Sequence, residues 1–164
     1  QKETDNVQCS PYDGFVLYMN ATDDFVRSLG YEQTRMYSDM VRESTLQLNA
    51  RIDVSYWMLG RATPVEIQER HRVINCINFY LYYILDPHLS YPGGYADAIE
   101  REWTPQWFLG WPSRSDRVTG SCYCIWSDIP GSQTQDQVME GVRPRLQAWG
   151  RKNGFLTPEG SEPR

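Results

Sequence analysis

The stretch "ATPVEIQERHRVINCINFYLYYILDPH", residues 62–88, decides the predicted fold. Thr63 stands where an N-cap belongs, with Pro64 next and Glu66 three positions after the cap, which predicts a capping box. Apolar residues then recur at helical spacing, and the second half of the stretch is apolar almost all round. The pattern predicts one long, buried helix that ends before Pro87.

The preceding residues 31–60 carry a second long periodic pattern. Apolar and aromatic residues recur there at spacings of three, four and seven, and Gly60 stands where a C-cap glycine belongs. Two long helices joined by a short link should lie antiparallel. Shorter helices are predicted near residues 22–30, 96–103 and 132–154. The sequence therefore predicts a mostly α fold, an antiparallel helical bundle built on two long helices.

The cysteine pattern adds one extended segment to this bundle. The four cysteines are Cys9, Cys76, Cys122 and Cys124, an even number that suits two disulfides in an oxidising compartment. Cys122 and Cys124 are too close in sequence to bond each other easily, so Cys9 should pair with one of them and Cys76 with the other. The sequence leaves open which pairs with which. "CYCIW" (122–126) is the plausible strand, and the two bridges would clamp it.

Zinc is the alternative use of these cysteines. A C-x-C pair with two distant single cysteines lacks the paired C-x2-4-C spacing of structural zinc sites. No cofactor motif occurs either, so the sequence predicts neither a metal nor a cofactor.

The cysteines and a glycosylation sequon together indicate a secreted protein. Asn20 begins the N-x-T sequon Asn20-Ala21-Thr22, so Asn20 is the predicted glycosylation site. We expect a single secreted helical domain over residues 1–156 and a flexible C-terminal tail over 157–164. No run of 18 apolar residues predicts a membrane span. The net charge of -5 and the lack of a basic run argue against nucleic-acid binding.

The sequence assigns no catalytic residue. Its two histidines, His71 and His88, would lie too far apart on one helix to serve a common site. A cysteine nucleophile would need a free thiol, and nucleophile-elbow, zinc-protease and phosphate-loop motifs are missing from the sequence.

"EWTPQWFLGWP", residues 102–112, is the most aromatic segment of the chain. Such a segment is buried either in the core or against a partner. A polar loop over 112–121 follows it, and exposed loops often carry recognition. The predicted binding residues are Trp103, Trp107, Phe108, Trp111, Arg114 and Arg117.

Three functions remain open from these observations. The first is a secreted, disulfide-stabilised helical protein that binds another protein, such as an effector, a receptor ligand or a gamete-recognition protein. The second is a carrier of an apolar small molecule or lipid, with a pocket walled by Tyr56, Trp57, Tyr80, Tyr83 and the tryptophans of 103–111. The third is a small secreted enzyme that uses Asp, Glu, Arg and Tyr side chains.

Overall fold

The structure is a computed structural model that describes residues 10–40, 44–57, 62–85, 95–127 and 129–156. Its helices are α1 (Asp13–Ser28), α2 (Pro64–Gln68), α3 (Asn78–Leu81), α4 (Ala96–Glu102) and α5 (Gln135–Lys152). Its strands are β1 (Arg35–Tyr37), β2 (Asp53–Tyr56), β3 (Val73–Asn75), β4 (Tyr82–Ile84), β5 (Val118–Ser121) and β6 (Cys124–Trp126). Short 3-10 turns cover Ser38–Met40 and Ser115–Arg117.

Four strands form one parallel sheet in the order β1-β2-β3-β5. The strands β4 and β6 form a second parallel pair, with Tyr82 opposite Cys124 and Ile84 opposite Trp126. The fold is therefore mixed α/β, and the predicted all-α helical bundle is wrong. The helix α2 lies between the neighbouring strands β2 and β3, and α3 and α4 lie in the connection from β3 to β5, as in the crossovers of a parallel sheet.

Where the first long helix was predicted, within residues 31–60, the structure has β1, the 3-10 turn Ser38–Met40 and β2. The predicted C-cap Gly60 lies outside the described residues. All four residues of β2 are buried, because both faces of the strand are covered. A strand buried on both faces shows no alternation of polar and apolar residues. Its apolar residues therefore fell into a helical spacing by coincidence.

The second predicted long helix begins where the sequence placed it and then stops early. Thr63 and Glu66 form the capping box, with the Thr63 N–H donating to Glu66 Oε2 at 2.7 Å. The helix α2 ends at Gln68, and β3 follows with the β-branched residues Val73 and Ile74. β-Branched residues favour a pleated, buried strand over a helix.

The sheet has a large core on one face and a smaller one on the other. Val73 of β3 belongs to the large core, together with Trp103 and Phe108. Ile74 belongs to the smaller core, together with Cys76 and Cys124. Successive residues of a strand point to opposite faces, so β3 supplies both cores.

Asn75, the last residue of β3, fixes the segment that follows α4. Its Nδ2 donates to the carbonyl oxygens of Pro105 and Trp107, at 3.0 and 2.8 Å. Its Oδ1 accepts from the Ile77 N–H at 3.0 Å. This buried amide holds the tryptophan-rich segment against the sheet.

No helix among the described residues is long and apolar enough to cross a membrane, as the sequence predicted. The predicted tail, residues 157–164, lies outside the described residues, and the single-domain boundary at 156 stays a prediction.

Candidate functional site

The carboxyl ends of the parallel strands meet at one edge of the sheet, which we call the carboxyl edge. Ligands of open α/β sheets bind outside this edge. The chain places Asp39 just after β1, Trp57 after β2, Cys76 after β3 and Cys122 after β5. Chemically distinctive side chains thus follow all four strands of the sheet.

Four aromatic rings form a continuous row beside this edge, which we call the aromatic row. Trp57 stacks on Tyr82, with ring centroids 6.0 Å apart and planes 7° from parallel. Tyr82 contacts Trp126 at 5.7 Å, and Trp126 contacts Tyr37 at 6.2 Å. Tyr82 is buried, whereas Tyr37 is 41% and Trp126 38% exposed. The row therefore has a buried centre and two rings that a ligand can reach.

Asp39 is the carboxylate attached to the aromatic row. The Trp57 indole Nε1–H donates to Asp39 Oδ2 at 3.0 Å. This bond fixes the orientation of a half-buried carboxylate next to aromatic faces. The site thus combines apolar surfaces with a charged hydrogen-bond acceptor.

The phenols of the row stay protonated over the ordinary pH range. Burial raises the pKa of Tyr37 to about 12, and the neighbouring Cys124 thiol adds to the effect. Burial also raises the pKa of Tyr82 well above its usual value. Both hydroxyls can therefore serve as neutral hydrogen-bond donors.

Three cysteines converge beneath the row. The Sγ atoms of Cys76, Cys122 and Cys124 all lie within 4.8 Å of one another. Hydrogen bonds from the other two thiols lower the pKa of Cys122, and the same bonds raise the pKa of Cys76 and of Cys124. The cluster thus has one sulfur that favours the thiolate and two that favour the thiol.

These three cysteines are free, so the expected disulfide between Cys76 and Cys122 or Cys124 is wrong. Sequence reasoning did bring Cys76 next to the C-x-C pair, which the structure also does. Cys9, the other half of the second expected bridge, lies outside the described residues.

The predicted tryptophan face divides between core and surface. Trp103 and Phe108 are fully buried, and Phe108 packs edge-on against Tyr56 with ring centroids 5.6 Å apart. Trp107 is half-buried and packs edge-on against Tyr80 at 4.9 Å. Trp111 is 41% exposed. Of these four residues, Trp111 offers the most surface to a partner.

The two predicted arginines lie on a surface turn. Arg114 is exposed and forms an ion pair with Asp116, with Nη2 and Oδ2 3.1 Å apart. Its main chain is anchored by the buried Gln68, whose Nε2 donates to the Arg114 carbonyl at 3.0 Å. Arg117 is half-buried at the end of the 3-10 turn. A binding role for Arg114, Arg117 and Trp111 stays a prediction.

Asn20 lies inside α1 rather than in a loop. Its Nδ2 donates to the Gln47 carbonyl at 3.0 Å, and its Oδ1 accepts from the Asn49 N–H at 2.7 Å. Glycosylation of Asn20 and secretion of the protein both stay predictions.

Some of the aromatic residues proposed to wall a carrier pocket pack in the core. Tyr56 and Tyr80 are buried, and they pack edge-on against Phe108 and Trp107. A cavity of about 240 Å³ is lined by other residues, which include Leu46, Leu48, Ile67 and His71. A carrier function stays a prediction.

Comparison with known proteins identifies a related fold. No protein-family model and no curated protein matches the chain. The chain is similar to the crystal structure of dispersin B. The TM-score is 0.68 and the sequence identity 20%, over 84% of this chain and 47% of the dispersin B chain. The chain thus spans about half the length of dispersin B, and at this identity the similarity shows the α/β fold alone.

This similarity also corrects the first functional hypothesis. A helical effector or receptor ligand needs a helical scaffold, and the chain folds instead as the α/β type found in dispersin B. The interpretation as a helical, disulfide-stabilised binding protein is therefore wrong.

The aromatic row and Asp39 were missed as a site by sequence reasoning. A usable signal was present in "RMYSD" (35–39), "DVSYW" (53–57) and "CIW" (124–126). Each is a short strand that ends on an aromatic residue or a carboxylate. Because residues 31–85 were interpreted as helices, the residues at the ends of these strands were not expected to lie together.

Proposed function

We propose that the protein is a carbohydrate-active α/β enzyme that binds a glycan at the carboxyl edge of its parallel sheet. The aromatic row beside Asp39 is the observation that carries this proposal. Dispersin B, whose fold is similar, is a glycoside hydrolase. Of the alternatives left open by the sequence, a small enzyme that uses acidic and aromatic side chains agrees best with this fold.

The exposed rings of the row suit a sugar. One face of a pyranose ring consists largely of C–H groups, which pack on the flat, apolar face of an aromatic ring. Tyr37 and Trp126 present two such rings 6.2 Å apart. Sugar hydroxyls on the same ring need polar partners, which the Asp39 carboxylate and the Tyr37 hydroxyl supply. These groups would hold a sugar ring by its apolar face and by its edge.

Most glycoside hydrolases use a pair of carboxyl groups, one of which acts as acid and the other as base or nucleophile. Within the described residues, the aromatic row holds one carboxylate, Asp39. Asp39 is our candidate for one member of this pair. The described residues of the carboxyl edge supply most of the groups that sugar binding needs.

The test combines binding and hydrolysis. The full chain is titrated by calorimetry with a panel of neutral and amino-sugar oligosaccharides and assayed on the corresponding nitrophenyl glycosides. We expect Trp126→Ala to weaken binding about tenfold, equivalent to about 1.4 kcal/mol. We expect Asp39→Asn to abolish hydrolysis while binding persists.

Trp111→Ala is the matched control, because Trp111 is as exposed as Trp126 but lies outside the aromatic row. It should leave both binding and hydrolysis unchanged. A loss of binding in Trp111→Ala and not in Trp126→Ala would move the site to the tryptophan-rich segment. A protein that neither binds nor cleaves any glycan of the panel would contradict the proposed function.

A further inference from the structure

The cysteine cluster shares no residue with the groups proposed to hold a sugar, although the Tyr37 hydroxyl hydrogen-bonds Cys124. Cys76 follows β3. Cys122 follows β5, and Cys124 is the first residue of β6. Cys76 and Cys124 are buried, and Cys122 is half-buried. Three thiols from two neighbouring parts of the sheet therefore point into one small space, and one of them can be reached from outside.

The backbone holds these cysteines in place before any ligand binds. The Cys76 N–H donates to the Tyr56 carbonyl at 2.8 Å, and the Cys122 N–H donates to the Asn75 carbonyl at 2.9 Å. Both bonds continue the parallel pairing of the sheet, so the backbone hydrogen bonds of the sheet hold Cys76 and Cys122 in position. A site built on strands keeps its geometry better than one built on loops.

The spacing of the sulfurs suits a metal ion. Thiolates bind zinc at about 2.3 Å, which places two sulfurs on the same ion about 3.8–4.0 Å apart. The three sulfurs already lie within 4.8 Å of one another, so small side-chain rotations would bring all three into range. A disulfide needs two sulfurs at about 2.05 Å and would leave the third thiol without a role.

We propose that Cys76, Cys122 and Cys124 bind one soft metal cation, zinc in the first instance, through three thiolates. Thiolate ligands select such cations over magnesium or calcium. The sequence spacing argued against zinc because Cys76 is distant in sequence from Cys122 and Cys124. The pairing of β3 with β5 brings Cys76 close to Cys122 in space. The proposal stands independently of the glycan function.

The groups around the cluster fit a bound cation. The Tyr37 hydroxyl hydrogen-bonds Cys124 and supports that sulfur from outside the cluster. A water molecule could fill the fourth position of a zinc ion held by three thiolates. The Arg35 guanidinium interacts with Cys122 and would offset the surplus negative charge of three thiolates on a divalent ion. The bound ion would join the end of β3 to the start of β6.

The experiment uses Cd²⁺ as a spectroscopic stand-in for zinc, because cadmium thiolates absorb in the ultraviolet. The full chain, reduced with a phosphine and freed of metal, is titrated with Cd²⁺. We expect a charge-transfer band that saturates at one equivalent, with the intensity of three thiolates. Zinc in large excess should lower the band by competition, since thiolates bind the softer cadmium more tightly. Purified protein should contain one zinc per chain by elemental analysis.

Variants then identify the ligands. Cys122→Ser, the least buried of the substitutions, should lower the band by a third and weaken binding by at least about 10–100-fold, since changes even in the outer shell of a metal site have that effect. Cys76→Ala and Cys124→Ser should do the same. Cys9→Ser removes the remaining cysteine and is the matched control, which should keep the full band. Far-ultraviolet circular dichroism checks that each variant folds.

Three results would overturn the proposal. The first is a titration of the wild-type chain with no saturable band, or with the intensity of fewer than three thiolates. The second is loss of the band in Cys9→Ser, which would show that the three thiols do not suffice. The third is a disulfide between Cys76 and Cys122 or Cys124, found by mass spectrometry of protein alkylated without reduction. The first and third use unmodified protein, so they decide the matter even if a variant fails to fold.

Discussion

Asp23 is a buried carboxylate of α1, with 1% of its side chain exposed. Its oxygens accept from Arg27 Nε at 2.9 Å, Asn49 Nδ2 at 3.1 Å and Arg51 Nε at 2.5 Å, and from the Thr34 hydroxyl. One side chain thus ties α1 to the connection between β1 and β2. Burial raises the pKa of Asp23, but these hydrogen bonds outweigh it and hold the pKa well below its usual value.

We expect Asp23→Asn to lower the free energy of unfolding by about 2 kcal/mol, because hydrogen bonds to a buried charge are stronger than those to an amide. The neighbouring Asp24→Asn is the matched control. Asp24 is 66% exposed and pairs with Arg51, so its loss should cost less than about 1 kcal/mol. Urea unfolding at neutral pH measures both, and equal losses would contradict the role given to Asp23.

The pH dependence of this difference has a definite sign. An aspartate whose folded pKa is depressed stabilises the protein above its unfolded pKa of about 3.9. That contribution is lost as the pH falls toward the folded value. The advantage of the wild type over Asp23→Asn should therefore shrink below about pH 4.

At the scale of single residues, the sequence predicted local contacts better than distant ones. The capping box of Thr63 and Glu66 was predictable because both partners lie within one helical turn. The contact between Asp39 and Trp57 was not, since it depends on β1 lying beside β2. The short strand before Asp39 was the available sign, and it was interpreted as part of a helix.

At the scale of elements, the short helices were easier to predict than the strands. The helix α4 ends at Glu102 with Trp103 as its C-cap, close to the predicted end, because Pro105 disfavours helical geometry in the residue before it. The helix α5 also exists, over Gln135–Lys152 with Thr134 as its N-cap, within the predicted range 132–154. The strand β6 lies within the predicted strand 122–126. The strands β2 and β3 were missed because runs of three or four buried residues are too short to show a period.

The contact of α5 with β4 depends on a glycine. A Cβ on Gly141 would lie 2.7 and 2.8 Å from Cε2 and Cζ of Tyr83, closer than real Cβ contacts come. Tyr83 is held by its hydrogen bond to Gln133 and by the Arg145 guanidinium over its ring. The ring therefore has little freedom to move aside.

We expect Gly141→Ala to destabilise the protein by about 1–3 kcal/mol through this overpacking, although alanine favours a helix. Gly14→Ala in α1 is the matched control, because nothing lies within 4 Å of its added methyl group. It should be neutral or stabilise by up to about 1 kcal/mol. Thermal unfolding compares the two, and a stabilising Gly141→Ala would show that α5 does not pack on Tyr83 in this way.

At the scale of the whole molecule, topology was beyond the reach of local patterns. The sheet order passes from β3 directly to β5, across the connection 76–117. That connection is more than twice as long as 38–52 or 57–72, which join the other neighbours. Once β2 and β3 are known to be buried strands, the helices between strands would predict a parallel α/β sheet. The error therefore began in the helical interpretation of residues 31–85 and spread from there to the fold.

This long connection has a kinetic consequence. Each doubling of the length of a loop adds about 0.6 kcal/mol to the free-energy cost of closing it. We therefore expect β1, β2 and β3 to associate before β5 and α5 join them. Val54 in β2 and Val142 in α5 are both fully buried. Val54→Ala should chiefly slow folding, and Val142→Ala should chiefly speed unfolding. Stopped-flow tryptophan fluorescence measures both rates, and slower folding in Val142→Ala would contradict this order.

During synthesis on the ribosome, the same connection leaves the outer edge of β3 unpaired for a time. The outer edge of β3 emerges with its pairing groups open, and its partner β5 becomes available only after residue 121 has left the exit tunnel. At about 5–20 residues per second, the edge stays open for several seconds. An open strand edge is a template for unwanted pairing with other chains. During those seconds the nascent chain is most exposed to aggregation and most in need of a chaperone.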